Sequence, residues 1–444
     1  MADGRTELIR ASEPPVAGAP WVLGGLDLAN WSLTIRGTWI FDGAIDAARL
    51  RESLARTLAL YPQLAGRCVD GRRIELNNGG VPFAAGERPE LSVRDACAAP
   101  ALAGGFSLPL DRGRARKGRD APLTVMLTRL RDGCVLGVRV SHAVLDGHGF
   151  YGMVRTWSCI HGARPFDPPV LDQARMPRGV GRTRGETARA ATAAGWRKLR
   201  WSGLLTTVPL LLLGKLHQRA AAVHFAPRAL ERLRAAARRE AGREELTTND
   251  ALSAHLTRMC LSLHDLPAGT PCGQVTVVDL RERLPSLPAT FAGNGSFVVP
   301  TAEFPAGAGL GELAARTHDS LARAFGGAPP PVERDVALTQ DLMRHRLLIV
   351  PYDVVAAHQR RPTVVYLNNF SRLPIYDVDF GTPGRSMTPV RVVPHDLPDP
   401  VLIWPAPPAL GGVEVYLTGR MAHAVWRRAP DDPWWSELRR FERE

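Results

Sequence analysis

The stretch of this 444-residue chain best equipped for chemistry is Ser141-His142-Ala143-Val144-Leu145-Asp146-Gly147-His148-Gly149. Leu136, Val138 and Val140 share the parity of His142, so a strand reaching that point puts the imidazole on its apolar face, where the chain turns. A half-desolvated imidazole stays neutral near pH 7 and offers one ring nitrogen as proton acceptor. That suits a general base relieving a hydroxyl or amine of its proton as it attacks a carbonyl. Asp146 and Gly147 then open a helix towards Trp157, and Gly147 and Gly149 keep its entrance clear of side chains. The ordinary alternatives are a satisfied core histidine and an aspartate that only caps a helix. His142, Asp146 and His148 also form an H-x-x-x-D-x-H string of metal-ligand types, but there is no H-E-x-x-H and no obvious further ligand nearby, so no metal is expected. No G-x-S-x-G elbow and no G-x-x-x-x-G-K-[ST] loop occurs, and Gly307-Ala308-Gly309-Leu310-Gly311 lacks the third spacing of a dinucleotide fingerprint. Direct transfer promoted by one base is the chemistry left.

The elements that must position this segment are short strands mixed with helices. Strands are expected at Thr34–Phe41, Pro122–Leu130 and Cys134–His142. Ala44–Leu60 reads as a helix with Leu50, Leu54 and Leu58 on one face, stopped at Tyr61-Pro62 because proline cannot continue it. In the second half, helices are expected at Ala229–Glu240, Asn249–Leu263 (capped by Thr247 or Thr248), Leu310–Phe325 and Val332–Arg346. Strands are expected at Gly273–Leu280, Thr363–Leu367, Pro400–Trp404 and Gly412–Leu417. Between the halves, 165–224 is first rich in Pro and Arg, then helical over Ala190–Trp201, then apolar from Gly203 to Leu213. This length exceeds one ordinary core. The expected class is α/β (α+β): a domain over 1–180, a crossover over 181–222 and a second domain over 223–444.

Composition narrows the function. Apolar residues are 45%, charged 23% and aromatic 7%, a globular profile. The net charge of +12 comes almost wholly from arginine, only Lys117, Lys198 and Lys215 being lysine. The basic residues are interleaved with acids rather than massed in a stripe, which argues against nucleic acid and for an acidic small molecule or carrier protein. The six cysteines form no C-x-x-C pair. The start, M-A-D-G-R-T-E, has no apolar leader core, and the run 203–213 is too short to span a bilayer and holds Pro209. The reading is a soluble, reduced, cytoplasmic protein.

The central segment resembles the H-x-x-x-D-G signature of the BAHD acyltransferases, within the chloramphenicol-acetyltransferase-like superfamily. Further stretches are similar to family landmarks in the family's order. These are Tyr61 through Arg67 (Y-P-x-x-A-G-R), Thr247 through Leu252 (the helix after the crossover), Val278-Asp279-Leu280-Arg281 (D-x-R), Gly293-Asn294 (G-N) and Asn368 through Gly381. The last run ends in Asp379-Phe380-Gly381-Thr382-Pro383-Gly384 where the family has D-F-G-W-G, which marks an outlying member.

The resemblance implies two domains, each a mixed β-sheet flanked by helices, meeting along a channel with the histidine at its centre. It implies that Asp146 points away from substrate and pairs with Arg281, and that Asp379 and Gly381 support structure. Asn368 and Phe370 align with residues near the reacting carbonyl, and the Asn368 amide could donate to an oxyanion. Coenzyme A phosphates would meet Arg243, Thr247 and Thr248 at a helix N-terminus. Ser141 stands where carrier-dependent condensation domains have a second histidine, which favours a stand-alone small-molecule acyltransferase; a monomer is expected. The implied reaction moves an acyl group from acyl-CoA, a co-substrate rather than a resident cofactor, to a hydroxyl of a small, hydrophobic specialised metabolite, with His142 as base and no covalent intermediate. Transfer from an acidic carrier protein, transfer to an amine, and a non-catalytic thioester binder are the alternatives. For 203–213 the readings are crossover packing, an acceptor-tunnel wall or a membrane-surface contact.

Overall fold

The computed structural model describes residues 6–13, 19–98, 105–198, 221–352, 356–357, 362–382, 384–394, 401–418, 424–429 and 431–443. The apolar run 203–213 and Trp201 lie outside the described residues. In chain order the first elements are β1 (Glu7–Ile9), α1 (Gly25–Ala29), β2 (Thr34–Phe41), α2 (Ala47–Leu60), β3 (Val81–Arg88), β4 (Leu123–Leu130), β5 (Cys134–Ser141) and α3 (Gly147–His161). There follow α4 (Arg184–Ala193), β6 (Ala221–Phe225), α5 (Pro227–Ala241), α6 (Thr248–Ser262), β7 (Pro271–Asp279), β8 (Ser296–Pro300) and β9 (Phe304–Pro305). The last are α7 (Leu310–Phe325), α8 (Pro331–Arg344), β10 (Val364–Asn369), β11 (Arg391–Val393), β12 (Val401–Pro405) and β13 (Val413–Leu417).

The described chain forms two compact units. The first holds residues 1–178, 279–296 and 373–397, and the second holds 179–278, 297–372 and 398–444. Contiguous domains over 1–180 and 223–444, with a crossover over 181–222, therefore do not describe the partition. Two stretches of the second half belong to the first unit for pairing reasons: β11 adds an edge strand beside β2, and Arg281 ion-pairs with Asp146.

The first unit carries a six-stranded mixed sheet in the order β1-β3-β4-β5-β2-β11, with β3 and β4 parallel. β4 and β5 are buried along nearly their whole length, as central strands should be. On one face α2 packs beside α3. The second unit carries a seven-stranded sheet, β6-β13-β12-β10-β7-β8 with β9 on β7, in which β7, β10 and β12 run parallel. Its core joins Phe225, Leu233, Leu256, Leu313, Val365 and Ile403, from strands and from α5, α6 and α7. Each unit is thus the mixed sheet flanked by helices that the sequence implied.

Local chemistry explains the boundaries. α2 begins at Ala47 rather than Ala44 because the Asp46 carboxylate accepts from Arg49 N–H. Between Thr247 and Thr248, the cap of α6 is Thr247, in a capping box with Asp250. The helix expected over Ala190–Trp201 is displaced: Thr183 and Glu186 start α4 early, Gly195 sits at φ +77° beyond its end, and Arg197–Lys198 is a short strand. Among the described residues no helix is long and apolar enough to cross a membrane.

Candidate active site

β5 delivers the histidine. It pairs with β2 up to Ser141 opposite Thr34, and His142 N–H still donates to Leu33 O at 3.0 Å. The chain then turns, Val144 N–H donating to Ser141 O, and Asp146 caps α3 through Gly149 N–H at 2.8 Å. His142 is half-buried whereas Ala143 through Gly147 are buried. Burial pushes the imidazole pKa below its ordinary value, against its own backbone, Asp146 and Asn294, which oppose the shift. The ring is therefore neutral near pH 7.

Asn294 sets which nitrogen carries the proton. Its amide Nδ2 donates to His142 O at 2.9 Å and to Asp27 Oδ1 at 2.6 Å. Those bonds aim its Oδ1 at His142 Nδ1, 3.0 Å away. An oxygen there demands a donor, so Nδ1 holds the hydrogen and Nε2 keeps the lone pair. Asp27, on α1, is buried and also accepts from Gly24 N–H. Desolvation raises its carboxyl to about 7, against the hydrogen bonds from Asn294 and Gly24. The sequence reading placed Asn294 only in a G-N turn and missed Asp27 entirely. The one signal was an acid between leucines in Gly25-Leu26-Asp27-Leu28.

The Asp146–Arg281 pair stands as the resemblance implied. Arg281 Nη1 and Nη2 meet Asp146 Oδ2 and Oδ1, both at 2.9 Å, and both side chains are 1% exposed. Arg281 also donates to Phe291 O, Gly293 O and Asp279 Oδ1, and Gly295 N–H reaches Asp146 Oδ2. Arg281 thus ties the turn carrying Asn294 to the turn carrying His142. Gly147 is the buried first residue of α3. A Cβ on Gly149 would lie 3.1 Å from Leu145 and 3.4 Å from Gly293 O, so its bareness serves packing of this loop rather than ligand approach. The three members of the H-x-x-x-D-x-H string have separate partners, Asn294, Arg281 and Asp279, and no metal-holding cluster occurs among the described residues.

The second unit carries the remaining candidates. Thr247 caps α6, Thr248 is its first residue, and Arg243 lies four residues before the cap. Arg243, however, turns its fork to Asp319 (2.8 and 3.0 Å) and Glu245 (2.7 Å), which push its pKa up, and the Thr247 hydroxyl is bonded to Asp250. Asn368 is buried on β10, and neighbouring Asn369 donates to Asn249 Oδ1 at the head of α6. In the first unit, Asp379 folds its loop by accepting from Gly381 and Met387 N–H and from the Ser386 hydroxyl. A Cβ at Gly381 would fall 2.0 Å from Arg385 O. Phe380 lies edge-on to Phe41, Trp157 and His161. Thr382, where the family has tryptophan, bridges to Arg385.

Comparison with known proteins shows the family and the fold. The family model described as the Transferase family matches residues 39–423. Hydroxycinnamoyl-CoA:5-hydroxyanthranilate N-hydroxycinnamoyltransferase HHT4 of Avena sativa is 31% identical over 366 residues, 77% of this chain and 76% of that one. Hydroxycinnamoyltransferase 2 of Oryza sativa subsp. japonica is 29% identical over 362 residues, 76% of each. In fold, the chain is similar to vinorine synthase (TM-score 0.70, 18% identity, 96% of each chain). It is also similar to F. graminearum TRI101 complexed with coenzyme A and T-2 mycotoxin (TM-score 0.69, 16% identity, 94% of this chain and 99% of that).

Proposed function

That this chain belongs to the Transferase family, and within it to the BAHD acyltransferases, is the premise from which we propose its reaction: transfer of an acyl group from a coenzyme A thioester to a hydroxyl of a small hydrophobic metabolite, with His142 Nε2 as general base. The observation that carries the reading is the Asn294 oxygen at 3.0 Å from His142 Nδ1, which leaves Nε2 as the acceptor. The acceptor hydroxyl gives its proton to Nε2 as its oxygen attacks the thioester carbon. Collapse of the tetrahedral intermediate expels the coenzyme A thiolate, which takes that proton back. No bond forms to the protein, so the kinetics are those of a ternary complex. Asn368 is the proposed oxyanion donor, supported by its amide and by its alignment with the family's carbonyl-side residue.

Thr248 and the first N–H groups of α6 are the proposed contacts for coenzyme A phosphate. Arg243 would join them only by leaving Asp319. An amide product is the second reading, favoured by the oat relative, which is named as an N-transferase. The test is mass spectrometry of products from one acyl-CoA offered with matched alcohols and amines, with thiol release followed in parallel. Ester alone is the expected product, amide alone establishes the second reading, and no thiol release with any thioester sinks the proposal.

A further inference from the structure

His148 is the member of the signature segment that the reaction above leaves unused. It is the second residue of α3, and its Nδ1 lies 2.7 Å from Asp279 Oδ2, both side chains being about a third exposed. The other oxygen of Asp279 accepts from Arg281 Nη1 at 2.9 Å, and that same Nη1 serves Asp146 Oδ2 at 2.9 Å. One guanidinium nitrogen is therefore shared by two carboxylates. The charged groups around this junction are Asp146 from the loop before α3, Asp279 and Arg281 from the end of β7, and Asp27, whose carboxyl acts electrostatically on Asp146. Arg281 is the buried cation that pairs with Asp146 and Asp279. Burial pushes the Asp279 carboxyl up, but the His148 hydrogen bond and the Arg281 charge more than offset it, to about 2.

We infer that His148 is a positioning residue: by bonding the Asp279 oxygen that Arg281 does not hold, it takes up part of that carboxylate's charge, weakens its competition with Asp146 for the shared Nη1, and so steadies the turn that carries His142. Without His148, the whole charge of Asp279 competes with Asp146 for Nη1. The cost falls on the seating of His142, because Arg281 also grips Gly293 O beside Asn294. The inference rests on His142 being the base, and it adds a residue that touches neither substrate nor reacting atoms. Asp279 also sits well electrostatically, since an anion beside the first turn of α3 faces the positive end of the helix dipole.

The experiment is a double-mutant cycle on the full chain, read by steady-state kinetics and by 15N signals of the His142 ring. His148→Ala is expected to lower kcat about three- to tenfold, the size a half-exposed charged hydrogen bond supplies, with KM for acyl-CoA unchanged and the His142 ring signals shifted. His148→Gln, which keeps an N–H donor, is expected to retain most of the turnover. Asp279→Asn added to His148→Ala is expected to restore kcat to within about twofold and return the ring signals. A His148→Ala protein with wild-type kcat and ring signals overturns the inference, as does a double variant no better than the single. If wild-type protein turns over no thioester, the proposed function fails, and the ring signals alone then judge His148.

Discussion

Arg281 chelates Asp146 with two hydrogen bonds of 2.9 Å, and both side chains are sealed from solvent. Removing one partner of such a pair strands the other charge in a low-dielectric site, at a typical cost of about 3–5 kcal/mol. Asp146→Ala also strips the cap from α3. We expect this variant to lose soluble protein as well as activity, read as yield and as the urea midpoint. A well-folded Asp146→Ala protein with normal turnover would refute the role of the pair.

His142→Ala removes the proposed proton acceptor and leaves the Asn294 oxygen without its ring donor, while the backbone bonds of residue 142 remain. We expect kcat to fall by at least ~10² in a protein that still folds. In wild type, burial lowers the imidazole pKa, so the base stays neutral as the solution turns mildly acid. The acid limb of kcat should then lie below the ordinary histidine value of about 6.5. A midpoint at or above that value would contradict the assignment.

Asn294 acts through the tautomer. Asn294→Leu offers His142 Nδ1 no acceptor, so the ring can place its lone pair on either nitrogen. The expected result is a loss of about 10–10² in kcat with little change in KM, accompanied by 15N spectra showing both tautomers. Spectra that still show a single Nε2 lone pair would mean that the backbone alone sets the proton.

Asp27 links this network to pH. Its folded value of about 7 lies above the ordinary 3.8, so the folded protein prefers the protonated carboxyl. The stabilising contribution is full below about pH 4 and is lost as pH rises through about 7. Unfolding free energy should thus decline between about pH 4 and 7, with a slope of at most about 1.4 kcal/mol per pH unit from this one group. Asp27→Asn, which cannot ionise, should show a flatter profile in urea titrations, and equal slopes would assign the pH dependence elsewhere.

Asn368→Ala tests the oxyanion donor. A loss of about 10²–10³ in kcat is expected where a donor to the developing charge is removed, with the fold retained because the alanine fits a strand. A fall confined to stability would return Asn368 to the structure of β10.

Much of the fold was legible because local rules govern it. Thr34–Phe41 and Leu310–Phe325 came out to the residue, since period and flanking breakers agree there. Boundaries slipped where a side chain reached backward to cap, as Asp46 does for α2 and Thr183 with Glu186 for α4. The partition into units was not legible, because strand partners such as β2 and β11 lie far apart in the chain and alternation along a strand does not name its neighbour.

The sequence by itself determined the chemical identity of the site: an imidazole at a strand end, an aspartate four residues on, and an arginine two residues after Asp279. Only the tertiary structure decided the protonation of that imidazole, because Asn294 reaches it across 152 residues of chain and is itself held by Asp27, 267 residues from Asn294. Periodicity reports which face of an element is buried. It carries no record of which polar atoms will meet there, and those meetings set where each proton resides.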